Sequence, residues 1–122
     1  MKTLCLRSAA VLLSLLLPTI ASATDWFVRS LSNGYGSGNG SNYNDAWNGF
    51  SSINWGSIQA GDTLYVCGPH DAGYLGDKNI IVPPGKSGTE MAPITIDGNC
   101  PGDSGVINSS LIRIFFDPAD LN

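Results

Sequence analysis

Gly61-Asp62-Thr63-Leu64-Tyr65-Val66-Cys67 opens the stretch that decides the fold. It runs to Gly98 as GDTLYVCGPHDAGYLGDKNIIVPPGKSGTEMAPITIDG. After the Gly61-Asp62 turn, strict alternation puts Leu64 and Val66 on one face of a strand. Ile80-Ile81-Val82 and Ile94-Thr95-Ile96 follow within the stretch, then Val106-Ile107 and Leu111 to Phe116 beyond it. Each run is short and bounded by Gly, Pro, Asp or Asn, and nothing between them has helical periodicity. Repeated short strands with glycine-rich corners belong to a sandwich or to a solenoid.

Two features favour the solenoid. Two-residue hairpin turns are absent from this half of the chain, and the strands are too short and too evenly apolar for a two-faced meander. The starts Leu64, Ile94 and Ile112 are separated by 30 and 18 residues, a mean of 24. That is the scale of one coil of a parallel β-helix, with a loop inserted in the first.

The segments Gly61 to Val66, Ser87-Gly88-Thr89 and Ala92-Pro93-Ile94-Thr95-Ile96 resemble the entry coil of the pectate lyase-like right-handed parallel β-helix superfamily. Bacterial chondroitinase B-like and alginate lyase-like chains are similar at this point. Upstream, Trp26-Phe27-Val28, the glycine-rich loop and Ala46-Trp47 resemble their N-terminal caps. The resemblance is specific for fold and nearly silent on activity. It implies an all-β chain: the N-terminal cap and first coils of a right-handed parallel β-helix, an incomplete solenoid.

Elementary chemistry agrees with that pattern. Asp62 can accept backbone N–H bonds at a turn. Pro93 lacks a donor where a strand begins, a tolerable place for the loss. Gly68, Gly88 and Gly98 suit corners with positive φ. Leu64, Val66, Ile94, Ile96, Ile112 and Ile114 are expected to point inward and stack between coils.

Residues 1–23 read as a secretory signal peptide. Lys2 and Arg7 form a basic n-region, Ala9 to Leu17 a short apolar run broken by Pro18, and Ala21-Ser22-Ala23 a small-residue cleavage site. Nine residues from Ala9 to Leu17 are too few for a membrane span. Cleavage leaves 99 residues with four basic and ten acidic side chains, a net charge of −6. An acidic chain of this kind lacks the electrostatic footprint for nucleic acid or anionic lipid. Hydrophobic residues make up 43% of the full chain, too many for wholesale disorder. The expected product is secreted, extracellular or periplasmic, bacterial, and free of the membrane once cleaved.

Residues 24–60 form the expected cap region. Trp26 to Arg29 reads as a first strand. Asn33 to Asn44, NGYGSGNGSNYN, reads as a loop; with Asp45 it clusters oxygen ligands, but the spacing fits no calcium loop and turn chemistry explains it better. Among Trp47, Phe50, Ile53, Trp55 and Ile58, positions 47, 50 and 58 with 53 or 54 approximate a helical face, while Gly49 and Gly56 argue for no more than one or two irregular turns. These aromatics read as buried cap residues rather than an exposed sugar-stacking platform.

Residues 61–122 are then the first coils, truncated. Repeat folds need about three or more repeats and a polar cap at each end, and FFDPADLN carries no capping element. The expectation is an N-terminal fragment, with the rest of the β-helix C-terminal to Asn122. Export permits a disulfide between Cys67 and Cys100, the two cysteines left after cleavage. They follow two strands about one coil apart. Pairing is the expectation and two free thiols the alternative.

Chemistry-bearing residues are sparse. His70, in a Gly-Pro-His-Asp turn, reads as a solvated loop residue, and with two cysteines it makes a poor zinc set. Lys78 and Lys86 read as solvated loop cations. Arg113, between Ile112 and Ile114, is the best single guess for a polysaccharide contact. Asp71 with Asp77, or Asp97 with Asp103, could pair as carboxylates, though acidic loop residues are too common to favour either. No catalytic, cofactor-binding or metal-ligating residue is assigned. The resemblance implies a parent that degrades polysaccharide, acidic or neutral, a lyase more than a hydrolase. Its base, and any calcium, would lie in the missing coils, leaving this stretch inactive. The alternative is a non-catalytic β-helix, a surface adhesin or glycan-binding module.

Overall fold

The computed structural model describes residues 21–71, 77–107 and 113–116. Residues 1–20 of the expected signal peptide, together with Leu111 and Ile112, lie outside them. The described residues contain eight strands, two short 3-10 turns and no α-helix. The strands are β1 (Asp25–Arg29), β2 (Trp47–Asn48), β3 (Thr63–Cys67), β4 (Pro69–His70), β5 (Asn79–Val82), β6 (Thr95–Asp97), β7 (Val106–Ile107) and β8 (Arg113–Phe116).

All the pairings between these described strands are parallel, and two isolated bridges, Cys67–Ser104 and Gly88–Pro93, are antiparallel. The first sheet has the order β2-β1-β3-β6, and two further sheets consist of β4-β7 and β5-β8. The chain therefore visits three sheets in succession through β3, β4 and β5. It returns to the same three, in the same order, through β6, β7 and β8. Parallel neighbours need long connections, and the registers show how long: Leu64 pairs with Ile96, Pro69 with Val106 and Ile80 with Ile114. One circuit thus takes 32 to 37 residues. This corrects the spacing argument. Residues 94–96 do lie one circuit after 64–66, but the strand at 113–116 belongs to the third sheet and pairs with β5. The interval of 18 was a step between sheets, not a coil.

Alternation sorts each strand into two faces. Leu64, Val66, Ile80, Val82 and Val28 are buried between the sheets, while Ile81 on the opposite face of β5 is 61% exposed. Trp47, Phe50, Ile53 and Ile58 close one end of this core, each contributing about 1.5–3 kcal/mol by burial. The cap segment is thus irregular as expected, with a 3-10 turn at Phe50–Ser52 in place of a helix. Trp26 stacks on Trp47 with ring centroids 5.3 Å apart.

The opposite end is open. Ile94 and Ile96 are only half-buried against the core. Ile114 and Phe116, in register with inward-facing Ile80 and Val82, line a hollow of about 320 Å³ with Val82, Ile94 and Ile96. They face inward as anticipated for Ile114, yet are 44% and 55% exposed because no further strand of the described residues lies over them.

Polar groups pin the layers. Asp62 accepts from the Gln59 N–H, the Trp26 indole and the Thr24 N–H at 2.8–2.9 Å. Lys86 is no free surface cation: its Nζ donates to the Ile58 carbonyl at 2.9 Å, tying the loop after β5 to the segment before β3. Gly88 has φ +85°, and a Cβ there would lie 2.5 Å from both the Ala92 oxygen and the Ile94 nitrogen, so only glycine fits the tight turn into β6. Gly68 also has positive φ; Gly98, expected to, does not. Cys67 and Cys100 form a disulfide, with Cα atoms 5.1 Å apart.

The largest departure from expectation is His70. It is fully buried, stacked on Phe50 at 4.2 Å, with Nδ1 3.2 Å from Oδ1 of the equally buried Asp77. Proline and histidine in β4 continue the strand beyond the Gly68 corner, and that continuation turns the imidazole inward. Asp77 also accepts from the Leu31 and Phe50 N–H groups. This pair joins the cap to the second and third sheets.

Candidate functional site

The outward face of the first sheet brings aromatic and charged side chains together. It arises from alternation: with Val28, Leu64 and Val66 turned inward, Phe27, Arg29 and Tyr65 must point out. Register then aligns Phe27, Tyr65 and Asp97 across β1, β3 and β6. The Phe27 and Tyr65 rings meet at 5.4 Å, tilted by 30°.

Beside this row the Arg29 guanidinium lies between two rings, 4.0 Å from the centroids of both Tyr35 and Tyr43. Cation–π attraction of this kind fixes a cation without neutralising it. The loop holds the rings in place. The Asn42 side chain accepts from the Asn44 and Asp45 N–H groups and so starts the turn that carries Tyr43. The Ser37 N–H and the Asn42 side chain bond to Asp45 and hold its carboxyl below the usual range. The Asn/Asp oxygens of this loop therefore serve its own turns. Tyr35 is anchored by its hydroxyl, which donates to the Ser30 carbonyl at 2.6 Å.

Tyr43 donates its hydroxyl to Asp103, and this bond, with some burial, raises its pKa above the ordinary phenol value. Asp103 is carried there by the disulfide loop. Cys100 is tied to the end of β3, the Gly68 N–H donates to the Asp103 carbonyl at 3.0 Å, and the Gly105 N–H to the Gly98 carbonyl. A shallow hollow between Tyr43 and Pro101, Gly102 and Asp103 continues the surface.

The face thus offers flat rings, one fixed cation and two carboxylates, Asp97 and Asp103. Such a surface can stack sugar rings and hydrogen-bond their hydroxyls or carboxylates. Sequence reasoning read Arg29 only as the end of the first strand and passed over its two tyrosines, because a sandwich across the loop leaves no local spacing signal. The outward Phe27–Tyr65 alignment was within reach from alternation alone. Trp47 is 3% exposed and so belongs to the cap core rather than to a platform.

The other candidates separate. Asp97 and Asp103 lie on this face and Asp103 is committed to Tyr43. Asp77 is buried with His70, which rules out its pairing on the surface with exposed Asp71. His70–Asp77 has the composition of an acid–base pair, but neither side chain reaches solvent, so neither can meet a substrate. Lys78 is exposed beside a hollow formed with Trp55, Asn79 and Ile81. The backbone of Arg113 pairs with Asn79 on the third sheet, away from the aromatic face. Among the described residues no group of three His, Cys, Asp or Glu side chains could hold a metal ion. No helix there is long and apolar enough to cross a membrane.

Comparisons with protein-family models, with curated proteins and with solved structures find no match to this chain.

Proposed function

We propose that this chain is the cap and first coils of an exported right-handed parallel β-helix, similar to pectate lyase-like proteins, that engages polysaccharide on the outer face of its first sheet. The observation that carries the coil reading is the double circuit through three parallel sheets, from β3-β4-β5 to β6-β7-β8. The open apolar end supports further coils beyond it: Ile114 and Phe116 occupy inward positions that another coil would cover. The aromatic row and the fixed Arg29 support the polysaccharide contact, with acidic sugars favoured by the cation. Lyase chemistry in the larger protein then falls to side chains on later coils.

A non-catalytic glycan-binding or adhesin role is the second reading. It draws on one observation: the only histidine–carboxylate pair of the described residues is sealed in the core. Both readings predict retardation of the chain in native gels containing polygalacturonate, alginate or chondroitin sulfate, and weaker retardation of Tyr43→Ala. Equal mobility with and without every polysaccharide would refute the contact. Ultraviolet absorbance from an unsaturated product, given the gene's full downstream sequence, separates lyase from binder.

A further inference from the structure

Asp62, at the corner just before β3, is a heavily engaged carboxylate. It is 3% exposed and receives three N–H donors. Among the described residues, no lysine or arginine nitrogen lies within 4.0 Å of it. Lys86 acts on it only from a distance, since its ammonium is bound to the Ile58 carbonyl. A buried anion held by neutral donors alone is short of a counter-charge.

One donor is singular. The Thr24 nitrogen sits 2.9 Å from Asp62 Oδ1, and Thr24 is the residue that follows the small-residue cleavage motif Ala21-Ser22-Ala23. Its carbonyl is fixed as well, accepting from the Thr63 N–H at 3.0 Å. Residues 21–24 are exposed, so the Ala23–Thr24 bond is open to a peptidase.

We propose that export completes this site: cleavage between Ala23 and Thr24 converts the Thr24 nitrogen from an amide into an α-ammonium that pairs with Asp62 and locks the cap onto the first sheet. The inference rests on the export part of the function proposed above. The step is a hydrolysis by a signal-removing peptidase. The Ala23 C–N bond breaks, water's oxygen goes to the Ala23 carboxylate, and both its protons go to the Thr24 nitrogen. Before cleavage Asp62 receives one amide proton from Thr24. Afterwards the same nitrogen carries a full positive charge, so the existing bond to the carboxylate becomes an ion pair between groups already in position. The charged groups around the new terminus are Asp62, the adjacent exposed Asp25 and, more remotely, Lys86. Two of the three are acidic, so the ammonium is favoured over the amine and its pKa rises. The gain is therefore full below the unfolded α-amino range and is lost as pH climbs past about 8.

The test compares chains beginning at Thr24 with a free or an acetylated terminus. Acetylation keeps the N–H donor and removes only the charge. The free form should melt higher by about 3–8 °C at pH 6.5, with the difference fading at high pH. In an Asp62→Asn background the two forms should melt together. Equal midpoints for free and acetylated wild-type chains overturn the proposal, as does a difference that survives Asp62→Asn. N-terminal sequencing of exported protein checks the cleavage. A terminus other than Thr24 overturns the processing link while leaving the polysaccharide reading to its own gel assay.

Discussion

Replacing both Cys67 and Cys100 with alanine should cost the chain a large share of its stability and disarm one edge of the aromatic face. The two cysteines are 33 residues apart and essentially fully buried, so alanine introduces no buried polar group. In the chain-entropy model, a cross-link closing a loop of this length stabilises by about 3.5–4 kcal/mol. That is a quarter or more of the total for a domain of this size, and a fall of roughly 15–30 °C in melting midpoint. Urea unfolding followed by tryptophan fluorescence measures it, with a second signature: the unfolded state expands without the bond, so the m-value should rise. A local consequence follows from geometry. The disulfide loop presents Asp103 to Tyr43, and Asp103 is what raises the Tyr43 pKa. In the variant the phenol should titrate lower, toward its ordinary value, in an ultraviolet pH titration. A stability loss under about 1 kcal/mol with unchanged m-value and unchanged tyrosine titration would refute the reasoning.

Other outcomes follow from the same contacts. Asp62→Asn should destabilise by about 2–3 kcal/mol near neutrality, since one carboxamide oxygen cannot serve three donors and charge assistance is lost. Burial raises the carboxyl's pKa, but the Gln59, Trp26 and Thr24 donors and the field of Lys86 outweigh it. The native pKa therefore lies below the unfolded one, and the stabilisation is whole above the unfolded value. The gap between wild type and Asp62→Asn should close as pH falls through the native pKa; a constant gap from pH 7 to about 2 contradicts this. Asp77→Ala should cost about 3–5 kcal/mol, because it strands the Leu31 and Phe50 N–H groups and leaves buried His70 without its partner. Chemical denaturation checks it, and a loss below about 1 kcal/mol counts against a bracing role. Ile114→Lys should lower light scattering by the isolated chain and Arg113→Val should raise it, since β8 presents Ile114, Phe115 and Phe116 at the exposed edge of its two-strand sheet. Unchanged scattering in both contradicts an exposed templating edge.

The all-β character, the parallel pairing and the inward set Leu64 and Val66 were legible because alternation and glycine corners act locally. The disulfide was legible too, since Cys67 and Cys100 are spaced by about one circuit. Asp62 was anticipated as a turn acceptor, though its reach to Trp26 and Thr24 was not. The circuit length was misjudged because three sheets share one apolar signature. Nothing in Leu111 to Phe116 distinguishes a strand of the third sheet from one of the first. His70 was misread for a related reason. Gly-Pro-His-Asp has turn composition, and only the distant Phe50 and Asp77 make burial of the imidazole favourable. The Arg29 sandwich depends on a loop folding back over β1, which no spacing in Asn33 to Asn44 encodes. The outward Phe27–Tyr65 row, by contrast, was implicit in the alternation that fixed the core.

The fold rests on the winding of the chain into stacked parallel circuits, and proton NMR tests that directly. Interstrand nuclear Overhauser contacts should link Thr63–Tyr65 with Thr95–Asp97, and Asn79–Val82 with Arg113–Phe116, in the parallel Hα-to-amide pattern and in the registers Leu64–Ile96 and Ile80–Ile114. Close Hα–Hα contacts between residues 79–82 and 94–97, the mark of an antiparallel hairpin, would contradict the circuit and with it the proposed β-helix.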